Sequence, residues 1–325
     1  MNAIVRHDYG LPDAALVLGE VDRPSLTDDG VLVRVRAASV NPVDWHTVTG
    51  NPYVMRMSAG LRRPKLEAIG TDFAGTVEAV GSDVKQFQPG DDVFGVRIGA
   101  FAEYVCVSED RAVAPKPANL TFEQAAAVPV AAITALQGLR DKGRIQAGQR
   151  VLINGASGGV GTFAVQIAKS FGAGVTGVCS TRNVDLVRSL GADHVVDYTQ
   201  EDFTRSGQRY DLMLDMAGNR SWSDCVRVLD AKAIVVVVGG PKANRWIGPL
   251  AHLAGVRLAS MRTSQKMTFF LADVNKADLL VLTELLEAGT VTPVLDAQYD
   301  GLDRVPEALG YLGEGHARGK IVVTV

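Results

Sequence analysis

Residues 151–161 read Val-Leu-Ile-Asn-Gly-Ala-Ser-Gly-Gly-Val-Gly, a short apolar strand that passes through a glycine-rich turn into a helix. The small residues each have a reason. Without a Cβ, Gly158 lets the backbone approach a pyrophosphate, and Gly161 lets the helix lie close on the strand. The helix start offers unpaired N–H groups and the positive end of its dipole to an anion. Ala156 stands where the first glycine of the G-x-G-x-x-G pattern would be, and it is still small. The pattern alone is weak. Here a strand precedes it, a helix follows, and the surrounding chain alternates the two, which is the confirming context. Ala156, Ser157, Gly158, Gly159, Val160 and Gly161 are therefore expected to hold the pyrophosphate of a dinucleotide.

The following strand decides which dinucleotide. An NAD site carries Asp or Glu about 20 residues after the glycines, on the ribose 2′-hydroxyl. This chain reads Cys179-Ser180-Thr181-Arg182-Asn183 there, with no acid. A carboxylate would repel a 2′-phosphate, whereas Ser180 can donate to one and Arg182 can pair with it. The expected cofactor is NADP(H).

Around this segment the texture changes twice. Up to about residue 115 the chain is β-rich: residues 31–37 alternate apolar and basic side chains, the period of a half-buried strand, and Gly75 to Gly81 and the run after Gly90 read as further strands. Thr121 with Gln124 forms a capping-box pattern that opens a helix. From there to about 290, strands and helices alternate, which predicts a parallel sheet covered on both faces. Strand character returns after 290 and closes the chain at residues 319–325, where a strand should rejoin the first domain. The expected domains are 1–121, completed by 290–325, and 122–289.

Composition excludes other classes. At 325 residues the chain exceeds what one core usually supports. A net charge of −3 leaves no basic surplus for nucleic acid. The longest solid apolar run, 233–238, falls far short of the roughly 20 residues of a bilayer span, and the first residues lack the pattern of a signal peptide. Cys106, Cys179 and Cys225 are too far apart to suggest a disulfide framework or a metal site, which fits a reducing cytoplasm.

The glycine turn together with Gly148-Gln149, Gln166 and Lys169 resembles the signature of the zinc-free quinone oxidoreductase branch of the medium-chain dehydrogenase/reductase superfamily. Asn41-Pro42-Val43-Asp44-Trp45, Gly70-Thr71-Asp72-Phe73, Pro89-Gly90-Asp91-Asp92-Val93 and the closing Gly315-His316-Ala317-Arg318-Gly319-Lys320 agree, so the likeness spans nearly the whole chain. It implies an α/β fold: a Rossmann doubly wound parallel sheet plus a GroES-like β-barrel domain, commonly in a homodimer. It further implies that Thr134 lies against the nicotinamide and Tyr198 near the adenosine 2′-phosphate. Val238 and Gly239 would line the cofactor, and Phe270, Ala317 and Arg318 would close over its nicotinamide side. At the places where zinc alcohol dehydrogenases carry Cys, His and Cys, this chain has Asn41, Thr71 and Val130. No set of zinc ligands can be assembled from these, and no metal is expected.

Without a metal to polarise it, the substrate should already be electrophilic: a quinone, an enal or an enone. Asn41 is the expected donor to the oxygen on which charge develops. His46 and Tyr53, in the same loop, are candidate proton donors, while Asp44 and Asp72 are expected to anchor it. Two alternatives share the cofactor site. One is an alkenal or enoyl reductase acting on C=C; the other, of a different class, is a non-catalytic NADPH-binding protein.

Overall fold

The computed structural model describes residues 1–240, 246 and 250–325, and the chain divides into two units. The first comprises Met1–Ile133, Asp273–Gly289 and Pro293–Val325; the second comprises Thr134–Ala272 and Thr290–Thr292.

In the first unit, β1 (Asn2–Arg6) and β2 (Leu16–Glu20) form an antiparallel pair. A seven-stranded sheet contains β3 (Gly30–Val40), β4 (Asp72–Val80), β5 (Asp92–Val96), β6 (Tyr104–Ser108) and β7 (Val113–Pro115). The alternation at 31–37 is the middle of β3. Val31, Val33 and Val35 face a core with Phe73, Val93 and Val105, while Arg34 and Arg36 face outward. Two register shifts bend β3 against β4. Gly75 sits inside that bend, where a Cβ would come within 2.1 Å of the Arg34 carbonyl oxygen.

Among its described residues, the second unit holds one sheet of six strands, all parallel: β8 (Arg150–Asn154), β9 (Gly174–Cys179), β10 (His194–Asp197), β11 (Tyr210–Asp215), β12 (Leu229–Val237) and β13 (Lys266–Phe269). Their order is β10-β9-β8-β11-β12-β13. The chain winds outward from β8 one way and then, from β11, the other, so the direction reverses between β8 and β11. This is the expected doubly wound sheet, whose reversal leaves a crevice beyond the strand ends. Val151, Leu152 and Ile153 of β8 and Leu212, Met213 and Leu214 of β11 are fully buried. Strands covered on both faces read as solid apolar runs for this reason.

The chain then returns to the first unit with β14 (Leu295–Asp300) and β15 (Lys320–Thr324), and β15 pairs antiparallel with residues 37–40 of β3. The division falls at 133/134, not at the expected 121/122, and the helix Lys276–Glu287 goes with the first unit. Packing decides both. The helix Phe122–Ala126 lies on β3 and β4. Lys276 Nζ donates to the Glu109 carbonyl oxygen at 2.8 Å, and Asn119 Nδ2 to that of Leu286 at 2.9 Å. No described helix is long and apolar enough to cross a membrane.

The helix Gly159–Ser170 leaves β8 through the turn 155–158, and a Cβ on Gly161 would meet the Gly155 carbonyl oxygen at 2.1 Å. Backbone on both sides leaves no room to adjust. Gly161→Ala is expected to cost about 1–3 kcal/mol by overpacking, read as a lower midpoint in chemical denaturation. An unchanged midpoint would show that the helix does not close on the turn.

Candidate active site

The turn after β8 carries the candidate dinucleotide-binding residues of the second unit. Gly155 has φ +94, and its N–H and that of Ala156 both donate to the Val178 carbonyl oxygen of β9, at 3.1 and 3.0 Å. Ala156 fits at the first-glycine position because Gly177 on β9 leaves space: a Cβ there would sit 3.0 Å from that of Ala156. Gly158 is half-buried, and the nearest atom to a Cβ on it would be 3.6 Å away, so its outer side is open. No side chain caps the helix start. The N–H groups of its first turn are thus left for an anion. A small open-sided turn with uncapped donors fits a dinucleotide pyrophosphate.

At the end of β9 the polar groups are linked. Asn183 Nδ2 donates to Ser157 Oγ at 2.9 Å and to Ser180 Oγ at 3.2 Å, while Asn183 Oδ1 is buried without a partner. An orphaned buried acceptor beside the turn is a place for a ligand hydroxyl or a water. Arg182 is exposed. Tyr198, half exposed, follows β10 and donates its N–H to the Cys179 carbonyl oxygen at 3.0 Å. Sequence reasoning missed Asp197 here. The pairing of β10 with β9 brings it level with Cys179, and its carboxylate accepts the Thr181 and Thr199 hydroxyls at 2.6 and 2.7 Å and the Gln200 amide at 2.9 Å. The Thr181 hydrogen bond, with those of Thr199 and Gln200, holds its carboxyl below the usual range.

Val238 and Gly239 lie at the end of β12, both N–H groups reaching the Asp215 carbonyl oxygen, at 2.8 and 3.4 Å. A Cβ on Gly239 would meet the Met216 carbonyl oxygen at 2.2 Å, so backbone contact alone requires glycine. Thr134 is buried on the helix Pro129–Gln137. Phe270 is buried within the second unit, near Gly138 and with the Lys142 ammonium 5.7 Å from its ring; packing accounts for its position. Ala317 and Arg318 belong to the first unit. Ala317 packs on its core, and Arg318, exposed, donates its N–H to Asp296 at 2.9 Å.

The first unit holds a buried polar network. Asn41, Asp44, Asp72 and Lys320 are all at most 4 % exposed. Asp72 accepts from Asn41 Nδ2 (2.9 Å), Ser39 Oγ (3.0 Å) and the Val130 N–H (3.1 Å), and lies 3.6 Å from Lys320 Nζ. Lys320 Nζ also donates to Asn41 Oδ1 and to the Val40 carbonyl oxygen. Asp44 accepts the Asn41 N–H at 2.8 Å and the Thr71 hydroxyl at 2.6 Å. Burial pushes both carboxyls up, Asp44 to about 7, and pushes Lys320 down. Asn41 differs from its expected role. Both ends of its amide are engaged by Asp72, Lys320 and the Ser39 carbonyl oxygen, so it organises this network instead of donating to a substrate. Lys320 and Thr71 are the members the sequence reading did not assign.

His46 and Tyr53 flank the turn at Asn51–Pro52. His46 Nδ1 lies 2.7 Å from the Asn51 carbonyl oxygen. A carbonyl only accepts, so Nδ1 carries the proton and neutral His46 presents Nε2 as an acceptor. Proton donation from it would need the imidazolium. Tyr53 is half-buried, its ring 4.5 Å from the Arg56 guanidinium. Among the described residues no group of three His, Cys, Asp or Glu side chains is placed to hold a metal ion. At the zinc-ligand places, Asn41 already bonds an ammonium, Thr71 bonds Asp44, and Val130 has no ligating side chain.

Asp44 sets a pH dependence. Between 3.8 and about 7 the folded chain keeps a proton that the unfolded chain releases. Stability should therefore fall as pH rises through that window. Asp44→Asn keeps an acceptor for the Asn41 N–H and removes the titration, so its denaturation free energies at pH 5 and pH 8 should differ less than those of the parent chain. An unchanged difference would assign the titration to another group.

Two family models match: residues 27–118 fit an alcohol dehydrogenase GroES-like domain and residues 190–323 a zinc-binding dehydrogenase. The zinc in the second description does not fit the side chains at 41, 71 and 130. The 2-methylene-furan-3-one reductase of Solanum lycopersicum is 35% identical over 329 residues, covering 97% of this chain and 77% of that protein. The chloroplastic NADPH-dependent alkenal/one oxidoreductase of Arabidopsis thaliana is 34% identical over 336 residues, covering 99% and 79%. The structure of the quinone oxidoreductase from Coxiella burnetii superposes with a TM-score of 0.86 at 29% identity, over 100% of this chain and 99% of the other. Turn, sheet order and relatives agree: the chain belongs to the medium-chain dehydrogenase/reductase superfamily, in its quinone oxidoreductase branch.

Proposed function

We propose that this chain is an NADPH-dependent reductase of conjugated carbonyl compounds: quinones, enals and enones. The observation that carries this reading is the open-sided turn at Gly158 before an uncapped helix start, with Ser180 and Arg182 at the end of β9. Asp197 stands nearby, but its carboxylate is already engaged by four hydrogen bonds, from the Thr181 and Thr199 hydroxyls, the Thr199 N–H and the Gln200 amide. When bound, the nicotinamide supplies the hydride. The residues at 41, 71 and 130 supply no Lewis acid, so the substrate must carry its own polarisation, as a carbonyl conjugated to C=C does. Two similar proteins are named for alkenal/one and methylene-furanone substrates, which favours hydride addition to the conjugated carbon.

The proton comes from Asp44 in this reading. Asp44 titrates near neutrality and is hydrogen-bonded to Thr71, a half-buried member of the network. A proton held on Asp44 can pass through Thr71 Oγ1 to an enolate, Thr71 taking one from Asp44 as it gives one up. Asn41, Asp72 and Lys320 fix Asp44 and the loop in place. His46 and Tyr53, the proton donors expected from the sequence, are given no step in this relay. A cytoplasmic homodimer completes the proposal. In support of a reducing compartment, all three cysteines are free, and burial pushes the Cys179 and Cys225 thiols up to about 11 and about 12.

NADPH consumption against a panel of quinones, enals and enones tests the reading. Turnover with NADPH well above that with NADH is expected; equal or better kcat/KM with NADH would remove the cofactor assignment, and tight binding without turnover would remove the enzyme. Arg182→Ala should raise KM for NADPH about tenfold or more through loss of a charge-assisted contact, leaving NADH kinetics unchanged. Thr71→Val should lower kcat by about 10²–10⁴, the span of general acid catalysis, with NADPH affinity intact. A full rate in that variant would end the relay.

A further inference from the structure

A cavity of about 390 Å³ in the second unit has a charged lining that is entirely basic: Lys142, Arg144, Arg257 and Lys266. Among the described residues, none of these four is paired with a carboxylate. Asp230, whose carbonyl oxygen takes the Gln265 amide at the cavity wall, gives its carboxylate to Arg150 at 2.8 Å. Four cations around so small a space repel one another unless an anion joins them.

The cavity is remote from the dinucleotide turn within the same sheet. Lys266, the first residue of β13, is level with Ile234 of β12, Leu212 of β11 and Val151, the second residue of β8. The turn 155–158 follows their carboxyl ends. The cavity therefore lies at the opposite edge of the sheet.

The backbone that delivers two of the cations is strained. Residues 138–142 form a π-turn, with the Gly143 N–H on the Gly138 carbonyl oxygen at 2.8 Å. Such turns recur at functional sites. Arg144 follows with φ 52, the one non-glycine residue in the left-handed region among those described. An L side chain adopts this conformation at a cost, and strain of this kind concentrates at binding sites. Gly138 and Gly143 press on Leu214 and Leu212 of β11, where a Cβ would come within 2.9 and 2.8 Å. The segment thus has no room to relax into an ordinary turn. Arg257 is steadied by the Met267 carbonyl oxygen at 3.4 Å.

We propose that this cavity is a second anion site, for a small phosphorylated molecule with two or more negative charges. Its volume exceeds what a diphosphate needs, and the Ile234 and Met267 side chains in the wall suit an organic group attached to one. A free metabolite and a phospholipid headgroup share this chemistry.

The test is titration of the full chain, saturated with NADPH so that the dinucleotide turn is filled, with inorganic pyrophosphate by calorimetry. One site per chain is expected. Arg144→Gly removes a cation and relieves the left-handed strain, so it should unfold no earlier than the parent chain and yet bind pyrophosphate about tenfold or more weakly. Lys266→Gln should weaken binding similarly, with NADPH affinity unchanged in both variants. Equal pyrophosphate affinity in parent and variants, or no binding once NADPH saturates, would overturn the proposal. Because the comparison is between variants, it reads out even if the chain turns over no substrate. Sedimentation with vesicles containing phosphatidic acid, whose phosphomonoester headgroup can carry two negative charges, competed by pyrophosphate and lost in Arg144→Gly, assigns the headgroup as the source. Pyrophosphate binding without sedimentation assigns a free metabolite.

Discussion

One ammonium group holds the centre of the first unit together. Lys320 Nζ, on β15, meets the Val40 carbonyl oxygen and Asn41 at the end of β3 and stands beside Asp72 at the start of β4. Asp72 in turn takes the Val130 N–H, and Asn41 takes Asp44 through its own N–H. Segments far apart in sequence are thus tied at one buried point. A buried charge pair gains little net stability, because desolvation offsets much of the attraction. Loss of one partner, however, leaves an uncompensated charge in the interior. The network is better understood as a device that fixes geometry than as a source of stability.

That view explains the position of Asp44. Its carboxyl is surrounded by protein, near a like charge on Asp72, with the Thr71 hydroxyl and one N–H as direct donors. Burial outweighs these donors and leaves the group close to neutrality, the range in which a carboxyl can both hold and release a proton. Asp72 has more donors and a cation for company. Burial pushes both carboxyls up, while their different donors and the Lys320 ammonium beside Asp72 give two identical side chains different surroundings.

Local signals made much of the fold legible. The glycine turn, the solid apolar runs of β8 and β12 and the alternation of β3 each declare themselves within a dozen residues, because turn chemistry and burial period are short-range properties. What depends on distant partners was not legible. Asn41 reads as a free amide until Lys320, about 280 positions on, is found against it. The packing of Phe270 beside Gly138 and Lys142 was likewise not legible from its local sequence. The segment after Cys179 has no acid in sequence, yet β-sheet register brings Asp197 alongside. The boundary shifted for the same reason: a helical pattern tells that a helix forms, while its packing surface tells which unit it joins.

The return of β15 to β3 has a consequence for synthesis on the ribosome. Asp72 is made early, whereas Lys320 is made only after the whole of the parallel sheet at 150–269. Domains fold as units in the order in which they emerge. Until Lys320 arrives, the open edge of β3 at 37–40 has no antiparallel neighbour and Asp72 has no counter-ion. The parallel sheet can therefore mature while the first unit is still waiting, and the buried network around Lys320 is the part of the molecule assembled late.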